Sequence, residues 1–229
     1  ARHEATVHLL HNVLPPSIAD KMLDGTKLIA EKIPSVSVLF ADIVNFTELS
    51  QSITPEELVE GLDRIFSAFD ALAEKYGLEK IKTIGDAYMV VSGAPVQRED
   101  HAEVMAHFAL EMVEEMKQFR SISTGEEIQL RIGIHSGEVV AGVIGKKKFA
   151  YDMWGDAVNT ASRMESHGEP GKIHVSEEFK QAFLLEAGPN GQSLMSPVSP
   201  KPLHFQERGE MAIKGKGKMK TYFLQKTTL

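Results

Sequence analysis

The chain has no cysteine among its 229 residues. Disulfides, cysteine-ligated zinc and thiol catalysis are therefore excluded, and a reducing compartment is compatible. No apolar run approaches the roughly 20 residues that a membrane helix needs. The opening Ala1-Arg2-His3-Glu4 lacks the pattern of a signal peptide, so the chain as given is expected to be soluble. Excess positive charge is missing too: 25 Lys and Arg stand against 32 Asp and Glu, a net charge of -7. That balance speaks against nonspecific nucleic-acid binding but leaves room for a local basic pocket. There are no internal repeats, and the nine histidines show no metal-ligand spacing. His101 and His107 are expected on a helix surface or edge. The single tryptophan, Trp154, is expected to anchor packing, and the ten methionines to fill core.

What is present suits one large α/β domain with an N-terminal appendage. An apolar fraction of 42% is ordinary for a globular chain, and the length suffices for a real core. The appendage spans residues 1–34 and the main domain 35–229. Leu9, Leu10, Val13 and Leu14 give a narrow apolar stripe, which Ile18, Met22 and Leu23 continue beyond Pro15-Pro16. Such a stripe must be covered by a partner copy, by a longer helix or by the same chain. Val36 to Ala41 reads as a buried strand ending in Asp42-Ile43. Thr54-Pro55-Glu56-Glu57 opens a helix that runs to Tyr76 and stops at Gly77. Ile81 to Val91 reads as two central strands joined at Gly85-Asp86. A helix over 99–120 follows, then a hairpin of Gln129–His135 and Glu138–Ile144 around Ser136-Gly137. Lys146-Lys147-Lys148 sits in a solvated turn. A helix over 155–166, a strand over 172–175 and a helix over 177–185 come next. Residues 188–202, rich in proline and serine, form a surface loop. Short strands between Phe205 and Leu224 return to the sheet. The order β-α-ββ-α-β, extended by further α/β elements, predicts an α+β sandwich on a ferredoxin-like core.

Two carboxylates, Asp42 and Asp86, fall at strand ends. On neighbouring strands they would share one face and hold divalent cations, which take oxygen ligands and substrate phosphates. The turn Ile43-Val44-Asn45-Phe46-Thr47 opens toward a helix, and its backbone N–H groups suit phosphate. Either carboxylate is also an ordinary strand or turn terminator.

Five collinear motifs resemble the class III nucleotide cyclase catalytic domain: Phe40-Ala41-Asp42-Ile43-Val44-Asn45-Phe46-Thr47, Lys82 to Met89, Arg131 to Gly137, Tyr151 to Met164, and Glu207-Arg208-Gly209-Glu210 with Lys214-Gly215-Lys216-Gly217. Together they cover roughly residues 35–226. The resemblance implies conversion of a nucleoside triphosphate to a 3′,5′-cyclic monophosphate and pyrophosphate, in two sites shared across a head-to-tail homodimer. It implies two divalent cations per site, magnesium or manganese, on Asp42, Asp86 and the Ile43 carbonyl, with the 3′-hydroxyl as nucleophile. Asn45, Phe46, Thr47 and Arg131 would face the phosphates from the same subunit. Asn159, Arg163 and Lys214 would come from the partner. Asn159 and Arg163 stand four apart, on one face of their helix. Many family members have Gly where this chain has Asn45, but Asn tolerates the left-handed conformation.

The base-reading pair implied by the resemblance is Lys82 and Asp152. Lys is donor-only and an ionised Asp acceptor-only, which satisfies the N1 and N6 of adenine. Guanine would meet two like-with-like clashes, each costing about 1–3 kcal/mol. ATP is therefore the expected substrate and cyclic AMP the product. A guanylyl cyclase, native or altered in base preference, a silent nucleotide-sensing module and a nucleotide-joining enzyme are the alternatives. Leu9 to Pro15 resembles the coupling segment of receptor-type or membrane-bound cyclases. The expected setting is thus a cytoplasmic catalytic domain beneath an upstream sensor or membrane part.

Overall fold

The fold comes from a computed structural model, which describes residues 2–188 and 203–227. The expected loop over 188–202 lies, past Gly188, outside the described residues. At the centre is one long strand, β1 (Ala30–Ile43), paired antiparallel with β3 (Ala87–Ser92) on one side and β4 (Leu130–Ile144) on the other. The sheet order is β2-β3-β1-β4-β6-β8-β7, with β2 at Glu79–Ile84, β6 at Ile173–Ser176, β7 at Leu203–Ile213 and β8 at Gly217–Lys226. A further strand, β5 (Ala150–Trp154), pairs with the far end of β4. The sub-order β2-β3-β1-β4, with a helix after β1 and another after β3, is the ferredoxin-like core that the element order predicts.

Strand alternation splits the interior in two. Leu39, Ala41, Tyr88, Val90, Ile132 and Ile134 face α4 (Pro55–Tyr76), α5 (His101–Met116) and α7 (Glu177–Ala187). Val38, Phe40, Met89 and Val91 face the opposite side, covered by α2 (Pro16–Leu23) and α6 (Asp156–Ser166). Helix α4 starts where its sequence says: the Thr54 hydroxyl accepts from the Glu57 N–H at 3.1 Å. Gly77 ends it in the left-handed region at φ 67°. Its Phe69 is fully buried, a contribution of about 1.5–3 kcal/mol.

Several expectations need correction. Residues 129–144 form no hairpin at Ser136-Gly137; β4 runs straight through, because β1 continues opposite it with Ser37 on Ser136 and Val36 on Gly137. The hairpin is the next one, β4–β5, and it carries Lys146, Lys147 and Lys148 exposed at its turn. Of the two or three short strands expected between Phe205 and Leu224, two form, and both are long. His101 is buried, not superficial: its ring bonds the Ser35 and Ser37 hydroxyls at 2.8 Å each. Trp154 is 40% exposed and, among the described residues, belongs to neither buried apolar cluster. The N-terminal stripe divides. Leu14 and Ile18 pack into the second core beside Ile33 and Tyr151, whereas Leu9 and Val13 of α1 (Arg2–Val13) stay exposed.

Candidate active site

The register of the sheet builds the first group of residues. Asp42, next to last on β1, pairs with Ala87 of β3 on one side and Arg131 of β4 on the other. Asp86 immediately precedes Ala87 in the β2–β3 turn, where Gly85 has φ 60°. Both carboxylates and the guanidinium therefore lie at one level across three strands. Arg131 Nη2 stands 3.7 Å from Asp42 Oδ2, and Arg131 Nε stands 3.1 Å from Glu165 Oε1. Glu165 has no place among the site residues expected from the sequence; the signal for it is its position just beyond Asn159 and Arg163.

Close backbone approach brings Glu165 there. A Cβ on Gly133 would lie 1.9 Å from the Glu165 amide nitrogen, so only glycine lets the end of α6 settle onto β4. Burial first, then the neighbouring Asp86 and Glu165 carboxyls, pushes Asp42 up to about 7, with Arg131 pulling the other way. Asp42 Oδ1 is buried with no hydrogen-bond partner among the described residues. An under-partnered buried carboxylate beside a second one is a fitting seat for a hard cation. The donor set thus suits a divalent ion on Asp42 and Asp86, with the Ile43 backbone adjoining. Beyond it, Asn45 takes the left-handed conformation at φ 57° and precedes the short helix α3 (Phe46–Gln51), leaving Thr47 exposed on its first turn.

A second group sits apart from the first. Lys82 on β2 donates to Asp152 Oδ2 on β5 at 2.8 Å, and Asp152 Oδ1 accepts from the Met153 N–H at 2.7 Å. Helix α6 buries Ala157, Thr160, Ala161 and Met164 against the sheet. That spacing turns the exposed Asn159 and the half-buried Arg163 to the outer face. Lys214 is exposed in the β7–β8 turn, and its neighbour Lys216 pairs with Asp156 at the start of α6. A cleft of about 390 Å³ opens there, lined among others by His135, Trp154, Asp156, Glu178 and Lys216. Burial holds the His135 imidazole below its usual pKa. One chain thus brings together Asp42, Asp86 and Arg131, and separately Lys82 and Asp152. It leaves Asn159, Arg163 and Lys214 facing outward.

The chain and its fold are similar to known proteins. Residues 28–226 match the family model described as the adenylate and guanylate cyclase catalytic domain. The chain is 45% identical over 229 residues to an adenylate cyclase of Mycobacterium tuberculosis, covering 98% of this chain and 47% of that protein. It is 42% identical over 226 residues to a receptor-type guanylate cyclase of Caenorhabditis elegans, covering 98% of this chain and 17% of that one. Among solved structures, the guanylate cyclase domain of a Catenaria anguillulae protein in complex with GTP superposes with a TM-score of 0.74 at 38% identity. That match covers 86% of this chain and 100% of the other. The chain spans about half the length, or less, of these two curated relatives.

Proposed function

The chain belongs to the adenylate and guanylate cyclase catalytic domain family, and from that premise we propose that it is an adenylyl cyclase domain that forms cyclic AMP and pyrophosphate from ATP in sites shared by two copies. The observation that carries the choice of ATP is the Lys82–Asp152 pair at 2.8 Å. It presents one donor-only and one acceptor-only group side by side, the complement of the adenine edge. In the free chain the two satisfy each other, so the entering base exchanges one ion pair for two hydrogen bonds.

Head-to-tail pairing is supported by the separation of the two groups. Asp42, Asp86 and Arg131 would take the triphosphate of one nucleotide. The partner's Lys82 and Asp152 would hold its base, with the partner's Asn159, Arg163 and Lys214 at the ribose and phosphates. Divalent cations on Asp42 and Asp86 would acidify the 3′-hydroxyl and neutralise phosphate charge. Arg131 and the partner's Arg163 would meet charge developing on the phosphoryl oxygens, which a fixed guanidinium stabilises without rearranging. An exposed apolar face is available for the partner: Val140, Ile144 and Trp154 project from the β4–β5 ribbon at 42%, 51% and 40% exposure.

No helix among the described residues is long and apolar enough to cross a membrane. The receptor-type relative motivates the further reading that the domain serves as the catalytic part of a larger, sensor-bearing protein. The guanylate cyclases at 42% identity favour a second reading, GTP as substrate. The test is incubation with ATP or GTP and magnesium or manganese at protein concentrations where the chain is dimeric, followed by product identification. Cyclic AMP as the main product supports the proposal. Cyclic GMP as the only product would replace it with the second reading, and no cyclic product from either nucleotide would leave a silent sensing module.

A further inference from the structure

Arg131 has two carboxylates within reach, and they do different things to it. Glu165 takes its Nε edge at 3.1 Å, while Asp42 stands farther off at 3.7 Å from Nη2. The Glu165 side chain is 12% exposed and the Arg131 side chain 33%, so the anchor is interior and the guanidinium tip is open. The stem is fixed as well: a Cβ on Gly168 would lie 3.1 Å from Arg131 Cγ. Among the described residues, no three acidic or histidine side chains are grouped to hold one ion, so Glu165 is not read as a third ligand.

We propose that Glu165 is a positioning residue for Arg131: it draws the guanidinium off Asp42, keeping that carboxylate free for a divalent cation and aiming Nη1 and Nη2 at the nucleotide's polyphosphate. The inference rests on the reading of this site as one for a nucleoside triphosphate. Without Glu165, Asp42 would be the anion nearest to Arg131. Guanidinium and cation would then compete for one carboxylate, and the donor fork would turn from the phosphates to Asp42. With Glu165 in place, the Nε edge is satisfied by a planar carboxylate, the geometry for which guanidinium is suited. Gly133 makes the contact possible, since α6 can carry Glu165 to Arg131 only by lying directly on β4.

The position of Glu165 also gives it an address. On α6, Asn159 and Arg163 face outward and would serve the partner's nucleotide, whereas Glu165 touches its own subunit's carboxylate group. Its effect must therefore follow the subunit that supplies Asp42. In a mixed dimer of Asp42→Ala with Asn159→Ala, only the site whose metal half comes from the Asn159→Ala subunit is complete. Glu165→Gln placed in that subunit should raise the KM for ATP about tenfold or more, with a smaller change in kcat. The same substitution in the Asp42→Ala subunit should leave both constants unchanged, and Glu165→Asp should restore part of the loss.

A readout without turnover is calorimetric titration of inorganic pyrophosphate with manganese into the homodimer. Glu165→Gln should weaken it about tenfold alone, yet add nothing to Arg131→Ala, since both would remove one interaction. Equal losses from either subunit, or additive losses in the titration, would overturn the proposal and leave Glu165 a structural residue of α6. If the two inactive subunits fail to complement, the shared-site reading falls, and the pyrophosphate cycle still decides the role of Glu165.

Discussion

Lys82 and Asp152, 70 residues apart, meet at 2.8 Å and tie β2 to β5. Lys82 keeps 42% of its side-chain surface and Asp152 only 13%. A half-open pair of this kind contributes at most about 1 kcal/mol to the fold. Its chemistry therefore concerns the base more than stability. Lys82→Glu combined with Asp152→Cys should reverse the nucleotide preference, with GTP turned over at least tenfold better than ATP by kcat/KM. Thermal melting should move by only a few degrees. Unchanged preference for ATP would refute the assignment of this pair to base reading.

Shared sites predict a specific pattern of rescue. Asp42→Ala and Asn159→Ala should each be inactive alone, because every site in each homodimer lacks one group. Mixed in equal amounts, they should regain up to about a quarter of wild-type activity, since half of the dimers are mixed and each has one intact site of two. Product formation across mixing ratios checks this. A flat zero at all ratios contradicts sites built from two subunits.

Gly133 is the packing hinge of the site. Gly133→Ala would place a methyl group 1.9 Å from the Glu165 amide nitrogen, a backbone atom that cannot step aside alone. Helix α6 must lift, at a cost of about 1–3 kcal/mol of overpacking strain. Asn159, Arg163 and Glu165 move with it. A lower melting temperature together with a large loss of activity is expected. A fully active, equally stable variant would show that α6 adjusts without effect.

Acid sensitivity should come in part from His174. Its ring is buried between α6 and β8, with Nδ1 donating to the Met164 carbonyl at 2.7 Å and Nε2 accepting from the Thr221 hydroxyl at 2.8 Å. Burial first of all, with the charges of Arg208 and His167 acting in the same direction, lowers its pKa from 6.5 to about 4. The unfolded chain therefore binds this proton more readily than the folded one. Stability is fully present above pH 6.5 and is lost as pH falls toward 4, by about 3 kcal/mol from this group. Urea unfolding at pH 7 and pH 5 should show a steeper fall for the wild type than for His174→Gln. Identical pH slopes would assign the acid sensitivity to the other buried histidines.

Much of the site was legible because its signals are short-range. Asp42 and Asp86 stand out at strand ends and in a Gly-Asp turn, whereas Asn159 and Arg163 are implied by the family resemblance, with which their four-residue spacing agrees. Thr54 and Gly77 bound their helix through bonds to residues three or four positions away. Asn45 adopts the left-handed conformation that its short polar side chain tolerates. Glu165 was not legible, since its partner Arg131 lies 34 residues away and comes within reach only because Gly133 admits α6 onto β4.

By itself, then, the sequence determined the limits of α4, the ferredoxin-like order of the core, the two strand-end carboxylates and the membership of a family whose motifs run in one order. Those depend on groups within a few residues of each other along the chain. The tertiary structure alone decided whether Ser136-Gly137 turns or continues. Locally the pair favours a turn, but β1 lies opposite and its ladder runs along β4 from Leu130 to Gly142, past Ser136-Gly137. It also decided that His101 is interior, through Ser35 and Ser37 on a strand more than 60 residues earlier. And it decided that Trp154 faces outward, because β5 is half-covered and its free face points away from the second core. Burial and ion pairing are set by what lies across the sheet, and a linear reading has no measure of that distance.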